Sequence, residues 1–318
     1  MGARALATAG AIAALLSGCA GGLQRVQSPK RLQVVSTIVP ITLLTKAVAG
    51  DCADVTPLIS AQSDPHDVQA RPADLVALQR AQVLVLNGLG MESFLGKLIR
   101  SAGNRQLRLI DSSRGVVPLA NNTVAEHSAH DHHGTTAVNP HIWLDPRRAM
   151  QQVQTIRDGL IQADPGCADG YRNRAEVASR TLGELDAALA NRLRPVAGRT
   201  FVVSHDYAAY FAQRYGLKTL AIVALPEQNP TPRQLARVLA AVQGTNFGAL
   251  MVSSQQSAPS LRALARDLGV GVSVFDPLET TQNPQQVDLA LYRDVMLANA
   301  SQLIEAFKLA DQQRRSKP

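Results

Sequence analysis

The feature that most constrains the fold is an uninterrupted helical pattern at residues 168–193, near the middle of the chain. Apolar side chains recur there at helical spacing with charged side chains between them, and no proline breaks the run. A helix of this length and position is suited to join two lobes. We therefore expect a connecting helix whose apolar side carries Val177, Leu182, Leu185, Leu189 and Leu193.

Short apolar runs alternate with helical stretches on both sides of this helix. The predicted strands are 31–38, 55–59, 83–86, 200–203, 217–224, 249–252 and 270–275. The predicted helices are 41–49, 72–80, 147–162, 207–215, 259–268 and one that begins at Thr231. Because parallel strands need a crossover between them, this alternation predicts an α/β fold with mainly parallel sheets in both halves.

The start of the chain has the pattern of an export signal followed by a tether. Arg4 precedes an apolar run at 5–16 that is too short to cross a bilayer, and two small residues then precede Cys19, as in the signal of a bacterial lipoprotein. The alternative is an ordinary secretory leader cut nearby. We expect a signal peptide at 1–18 and a lipidated tether at 19–31, which anchors the chain to the cell envelope, facing the periplasm or the cell exterior.

The net charge of +7 raises the question of nucleic-acid binding. The basic residues are spread through helical stretches rather than clustered. Aromatic residues make up only 4% of the chain, so surfaces on which bases could stack are scarce. We therefore expect no nucleic-acid partner.

Two cysteines, Cys52 and Cys167, remain once Cys19 is assigned to lipid. In an exported chain they can form a disulfide, and the alternative is a pair of buried free thiols. The sequence does not choose between the two, because a disulfide depends on how close the cysteines lie in space.

The segment 139–146 places His141 near the chain's one tryptophan and between two prolines. Proline fixes its own φ and restricts the residue before it, so the segment is predicted to be a stiff loop that presents His141 at a set angle. Trp143 is expected to pack beneath the loop rather than to bind a ligand. The alternative is an inert turn with a histidine at the surface.

Four potential metal ligands each follow a predicted element and lie in a turn: His66, His141, His205 and Asp276. In open α/β sheets, ligands bind in the loops at the carboxyl ends of the strands. Three imidazoles and a carboxylate suit Zn²⁺ in tetrahedral coordination, whereas manganese or magnesium prefers more oxygen. Taken singly, His205 is typical of a packed histidine at a helix start, and Asp276 of an N-cap.

A tract without periodicity, residues 121–138, contains His127, His130, His132 and His133. Its composition is typical of a loop that binds metal weakly, and the alternative is an insertion whose histidines have no role. All seven histidines of the chain lie either in this tract or in the three turns, which favours a shared metal site over separate structural roles.

Four motifs resemble the metal-site motifs of the zinc/manganese solute-binding proteins of bacterial ABC transporters (solute-binding protein family 9, cluster A-I). They are DPH at 64–66, NPHIWLDP at 139–146, SHDYAAYF at 204–211 and FDPL at 275–278, in the family's order. The resemblance implies two similar α/β lobes, a rigid connecting helix and one metal in the cleft between the lobes. The third motif of that family carries histidine in zinc members and glutamate in manganese members, so His205 is similar to the zinc branch.

The chain departs from the family's pattern at three places. Asn139 stands where aspartate is common, Val68 where an aromatic residue is common, and Ser254 with Gln255 where many relatives have Glu-Pro. None of these departures replaces a ligand. The last one removes a carboxylate from the cleft, and weaker support around a site lowers metal affinity.

The resemblance implies a zinc-binding component of an ABC importer, which captures Zn²⁺ outside the cytoplasm and delivers it to the transmembrane subunits of a permease. The alternatives are a manganese-binding homologue, a surface adhesin and a secreted zinc hydrolase. A hydrolase keeps one zinc position open for water, whereas four ligands fill the tetrahedron here. The chain also has neither a His-Glu-x-x-His nor a Gly-x-Ser-x-Gly motif, so we expect that it is not an enzyme. We also expect a monomer.

The predicted domains follow from these assignments. After the signal peptide and the tether, an N-terminal lobe spans 32–165 and contains the histidine tract. The connecting helix spans 166–195, and a C-terminal lobe spans 196–318.

Overall fold

The computed structural model describes residues 31–121, 138–223, 230–253 and 259–316. The chain from Arg31 onward forms one compact unit. Several predicted features lie outside the described residues, namely Cys19 with the tether before Arg31, the four tract histidines, and Ser254 with Gln255. Within the described ranges, no helix combines the length and the apolar character needed to cross a membrane.

The N-terminal half contains a four-stranded sheet in which all neighbouring strands are parallel. The strands are β1 Leu32–Ser36, β2 Ala53–Pro57, β3 Val83–Leu86 and β4 Arg108–Asp111, and they pair in the order β2-β1-β3-β4. The helices of this half are α1 Val39–Ala49, α2 Pro72–Arg80, α3 Leu95–Ala102 and α4 Pro146–Ala163. The connecting helix, α5 Ala168–Leu193, follows them.

The C-terminal half repeats this arrangement. Its parallel strands are β5 Thr200–Val203, β6 Lys218–Ala221, β7 Phe247–Val252 and β8 Val272–Val274, in the order β6-β5-β7-β8. Its helices are α6 Ala209–Arg214, α7 Pro232–Val242, α8 Pro259–Leu268 and α9 Leu289–Arg315. In each half the first strand therefore lies between the second and the third, and the predicted α/β fold with two similar parallel-sheet lobes is confirmed.

Helix α5 buries one side along its whole length, in an apolar core that also contains side chains of α1, α4 and α9. The two lobes therefore share one core. Val177 is 57% exposed, so its predicted place on the buried side is wrong. It lies one residue, or about 100° of helix rotation, before the buried Ala178. The apolar buried side chains of the helix are Tyr171, Ala175, Ala178, Leu182, Leu185, Leu189 and Leu193.

The buried carboxylate of Asp186, on α5, forms hydrogen bonds with one residue of each lobe. Asp186 is 2% exposed and accepts hydrogen bonds from Arg147 Nε at 2.9 Å and from Arg214 Nε at 2.7 Å. Burial alone would raise the pKa of Asp186, but the two arginines outweigh it and hold the pKa below its usual range. Arg147 lies in the first turn of α4, and Arg214 is the last residue of α6. The ionised carboxylate therefore joins a helix of each lobe to the connecting helix.

Cys52 and Cys167 form a disulfide, with their Cα atoms 6.1 Å apart. The sequence left open either a disulfide or two buried free thiols, and the structure contains the disulfide. Cys52 ends the turn after α1, and Cys167 immediately precedes α5, so the bond attaches the N-terminal lobe to the start of the connecting helix. Arg174 lies against the bond, because its guanidinium donates to Cys52 Sγ at 2.9 Å and to the carbonyl of Val48 at 2.8 Å.

Candidate metal centre

The three histidines predicted as ligands lie on loops at the carboxyl ends of parallel strands. His66 lies in the loop between β2 and α2, His141 in the segment between β4 and α4, and His205 two residues after β5. A fourth loop, after β8, carries Glu279. Each sheet presents the carboxyl ends of its strands at one edge, so these loops bring side chains from both lobes to the same place.

The three imidazole rings form a nearly equilateral triangle. The ring centroid of His66 lies 5.5 Å from that of His141 and 5.4 Å from that of His205, and the last two lie 5.4 Å apart. One nitrogen of each ring and one oxygen of Glu279 all lie within 4.8 Å of one another. Among the described residues, this is the one group of three or more histidine, cysteine, aspartate or glutamate side chains placed to hold a metal ion.

Glu279 directs one carboxylate oxygen at two of the rings. Its Oε1 lies 2.9 Å from His66 Nε2 and 3.0 Å from His141 Nε2, and its side chain is 5% exposed. Burial by itself would raise the pKa of Glu279, but the hydrogen bonds to the two imidazoles outweigh it and hold the pKa well below its usual range. Glu279 is therefore an ionised, buried carboxylate, which is the form that binds a cation.

Asn139 determines which ring nitrogen of His141 faces the centre. Its Oδ1 accepts the backbone N–H of His141 at 3.0 Å and lies 2.9 Å from the ring Nδ1. Because an amide oxygen only accepts, Nδ1 carries a hydrogen, and Nε2 is the ring nitrogen that faces Glu279 and the centre. Burial lowers the pKa of His141 to about 4, although the hydrogen bond and the charge of Glu279 oppose this shift.

This donor set fits a bound cation. Electron pairs on Nε2 of His141 and on the carboxylate oxygen 3.0 Å away repel each other unless a positive charge lies between them, either the shared proton of a hydrogen bond or a metal ion that takes its place. Imidazole nitrogens and one carboxylate oxygen are the donors that Zn²⁺ takes in tetrahedral sites. The geometry and the electrostatics therefore both favour a divalent metal such as zinc at this centre.

Asp276, the predicted fourth ligand, is not brought into this group. Its Oδ1 accepts the N–H of Leu278 at 2.8 Å, and its own N–H donates to Asn299 at 2.8 Å. Leu278 has a φ of 61°, and this left-handed turn brings the next residue, Glu279, to the centre. The carboxylate that sequence reasoning missed lies in the same turn, so the signal was the second acidic residue that follows Asp276 within one short loop.

Trp143 supports the loop of His141, as the sequence predicted. The indole ring is fully buried, and its centroid lies 5.2 Å from that of the His141 ring. Its Nε1 donates to the carbonyl of Pro277 at 2.8 Å, and Tyr292 donates its hydroxyl hydrogen to the carbonyl of Trp143 at 2.6 Å. Trp143 therefore joins the His141 loop to the turn that leads to Glu279.

The chain matches a protein family described as the periplasmic zinc-uptake complex component A, over residues 34–306. It is 29% identical over 259 residues to the zinc-binding lipoprotein AdcA of Streptococcus pneumoniae, an alignment that covers 80% of this chain and 51% of AdcA. It is 28% identical over 277 residues to the high-affinity zinc uptake system protein ZnuA of Bacillus subtilis, which covers 86% of each chain. The chain thus spans about half the length of AdcA and most of the length of ZnuA.

Solved structures show the same fold. A crystal structure of ZnuA superposes with a TM-score of 0.75 at 28% identity and covers 87% of this chain and all of that one. A mutant structure of the laminin-binding adhesin of Streptococcus agalactiae superposes with a TM-score of 0.73 at 26% identity and covers 86% of this chain and 99% of the adhesin.

Proposed function

The chain belongs to the family of the periplasmic zinc-uptake complex component A, and we propose that it captures Zn²⁺ outside the cytoplasm and delivers it to an ABC permease. The observation that carries the proposal is the convergence of three imidazoles and one buried carboxylate within 4.8 Å, from loops of both lobes. A site between lobes can bind a metal and release it when the lobes or loops move. A protein that delivers metal to a permease needs both steps.

We propose His66, His141, His205 and Glu279 as the ligands. Four protein groups complete a tetrahedral set, whereas a catalytic zinc needs an open position for water. This supports a role in holding zinc rather than in using it for hydrolysis. Three nitrogen donors favour zinc over manganese, which prefers oxygen donors.

The proposal extends to the regions outside the described residues. Cys19 carries the lipid anchor, the tether at 19–31 lets the binding domain stand away from the membrane, and the tract around His127 and His133 adds weak metal sites. AdcA, a relative of this chain, is described as a lipoprotein, which supports the anchor. We also propose the lobe boundaries 32–165 and 196–318, and a monomer in solution.

One further observation favours a second function. The fold likeness to a laminin-binding adhesin supports the hypothesis that the lipid-anchored chain also binds laminin. Binding of the zinc-loaded protein to immobilised laminin, measured beside the pneumococcal AdcA protein, would test it. A chain that retains zinc but does not bind laminin supports the transport function alone.

The zinc content of the purified chain tests the transport proposal. Protein from Ala20 onward, dialysed against equal concentrations of zinc and manganese, is expected to retain one zinc per chain. Deletion of residues 122–137 should leave this tight site intact, whereas the double variant His66→Ala, His141→Ala should lose it. Metal analysis by mass spectrometry would contradict the proposal if the wild type keeps no zinc, if the double variant keeps it all, or if the tract deletion removes it.

The zinc affinity should fall as the pH falls, because a protonated imidazole has no lone pair for a metal. An ordinary imidazole takes up its proton below a pH of about 6.5. Burial lowers the pKa of His141 to about 4, so the loss of affinity that this ligand contributes begins near pH 4. Competition with a chromophoric chelator between pH 8 and pH 3 would measure it. An affinity that does not change as the pH falls from 7 through 4 to 3 is incompatible with histidine ligation.

A further inference from the structure

The side chain of Asn139 lies fully buried between the ligand-bearing segments of the two lobes. Its Oδ1 contacts both the backbone N–H and the ring Nδ1 of His141. Its Nδ2 donates to the backbone carbonyl of Asp206 and lies 3.2 Å from Asp206 Oδ2. Asp206 directly follows His205, so one amide group joins a ligand of the N-terminal lobe to the backbone beside a ligand of the C-terminal lobe.

The backbone of Asn139 is held as firmly as its side chain. Its N–H donates to the carbonyl of Leu119 at 2.8 Å, and its carbonyl accepts the hydroxyl hydrogen of Tyr210 at 2.7 Å. Tyr210 is a buried residue of α6, and its oxygen also accepts the N–H of Leu119 at 2.9 Å. Asn139 is therefore fixed to the helix that follows His205.

Only an amide satisfies both sides of this arrangement. An aspartate could accept from His141, but its second oxygen would face the carbonyl oxygen and the carboxylate of Asp206. These oxygens would repel each other, with little screening by water because Asp206 is only 5% exposed. A leucine would leave the ring N–H of His141 without its acceptor. The neutral asparagine, which stands where the family commonly has aspartate, is thus matched to the aspartate at position 206.

We propose that Asn139 is a positioning residue that holds a hydrogen on Nδ1 of His141, so that Nε2 is the ring nitrogen that faces the centre, and that sets the separation of His141 from His205, before any metal binds. The inference rests on the proposed zinc-binding function. A ligand ring that already points Nε2 at the centre needs no rotation when the metal arrives, and the outer partners of ligand histidines typically contribute about 10–100-fold to metal affinity.

The position of the ring hydrogen on His141 can be determined in the metal-free protein. In the metal-free wild type, long-range ¹⁵N–¹H correlation spectra of the histidine rings, assigned with a His141→Gln variant, are expected to show the hydrogen of His141 on Nδ1. A His141 ring without a hydrogen on Nδ1 in the wild type would overturn the proposal, whatever the variants do. This measurement does not depend on zinc binding, so its failure is distinct from the failure of the proposed function.

Three variants separate positioning from general stability. Asn139→Leu should lose the single tautomer and bind zinc about 10–100-fold more weakly. Asn139→Asp should also weaken binding, and the added change Asp206→Asn should restore part of the affinity, because it exchanges donor and acceptor across the 3.2 Å contact.

Asn104→Leu is the matched control. The amide of Asn104 donates to the carbonyls of Leu78 and Ala81, at the edge of the N-terminal sheet opposite to the histidines. This variant should lower the unfolding temperature and leave both the tautomer and the zinc affinity unchanged. Wild-type tautomer and affinity in Asn139→Leu, or an equal loss of affinity in Asn104→Leu, would show that the role of Asn139 is structural only.

Discussion

Replacement of Glu279 by alanine is expected to lower the zinc affinity by about 10²–10³-fold, whereas Asp276→Asn leaves it almost unchanged. Structural zinc sites with four ligands bind with about 10–16 kcal/mol, so one ligand accounts for about 2.5–4 kcal/mol. Glu279 is the carboxylate whose oxygen lies 2.9 Å from Nε2 of His66 and 3.0 Å from Nε2 of His141. Asp276 instead accepts the N–H of Leu278, and asparagine preserves that hydrogen bond.

The two variants form a controlled comparison, because each removes one negative charge from the same turn. Competition with a chelator of known affinity measures both, and thermal unfolding of the metal-free proteins shows whether either change disturbs the fold. If Asp276→Asn loses the tight site while Glu279→Ala keeps it, the ligand assignment from the sequence is correct and the one proposed from the structure is wrong.

Loss of the disulfide is expected to lower the free energy of unfolding by about 2–5 kcal/mol. The bond joins cysteines that are 115 residues apart, so it removes much of the conformational freedom of the unfolded chain. The double variant Cys52→Ser, Cys167→Ser should therefore unfold at a lower denaturant concentration than the oxidised wild type. Zinc affinity should change little, because Cys52 precedes β2 whereas His66 follows it.

Chemical reduction provides the control for this prediction. A reductant should bring the unfolding midpoint of the wild type down to that of the double variant and should have no effect on the variant itself. Equal midpoints for the oxidised wild type and the double variant would mean that the bridge does not stabilise the chain. A loss of zinc on reduction would show that the bridge also shapes the metal centre.

Much of the fold follows from patterns that are local in the sequence. The predicted bounds of α2, β3, α5, β5 and α8 agree with the structure, because proline starts, apolar runs and helical spacing mark them clearly. Other bounds differ by a few residues, and the helix predicted at 207–215 is a short turn followed by α6. Three elements were not predicted, namely α3, β4 and α9.

Two of the missed elements, β4 and α9, lack a strong local pattern. The strand β4 lies at the edge of its sheet and is bounded by an arginine and an aspartate, and its Leu109 is 53% exposed, so no apolar run marks it. Helix α9 is the longest helix in the described part of the chain. Its buried side includes Asn299 and several alanines, so the apolar pattern in its sequence is weak. Both elements are stabilised by the neighbours against which they pack, and those neighbours are distant in sequence.

The sequence by itself determined the fold class, the connecting helix and the three histidines, because strand and helix periods are local and the histidines are few and stand beside prolines. Only the tertiary structure decided the fourth member of the centre, the pairing of Cys52 with Cys167, and the contact of Asn139 with Asp206. Each of these depends on distances between residues far apart in the chain, or on one backbone angle. Asp276 and Glu279 share a turn and a charge, and the left-handed conformation of Leu278 decides which of the two reaches the histidines.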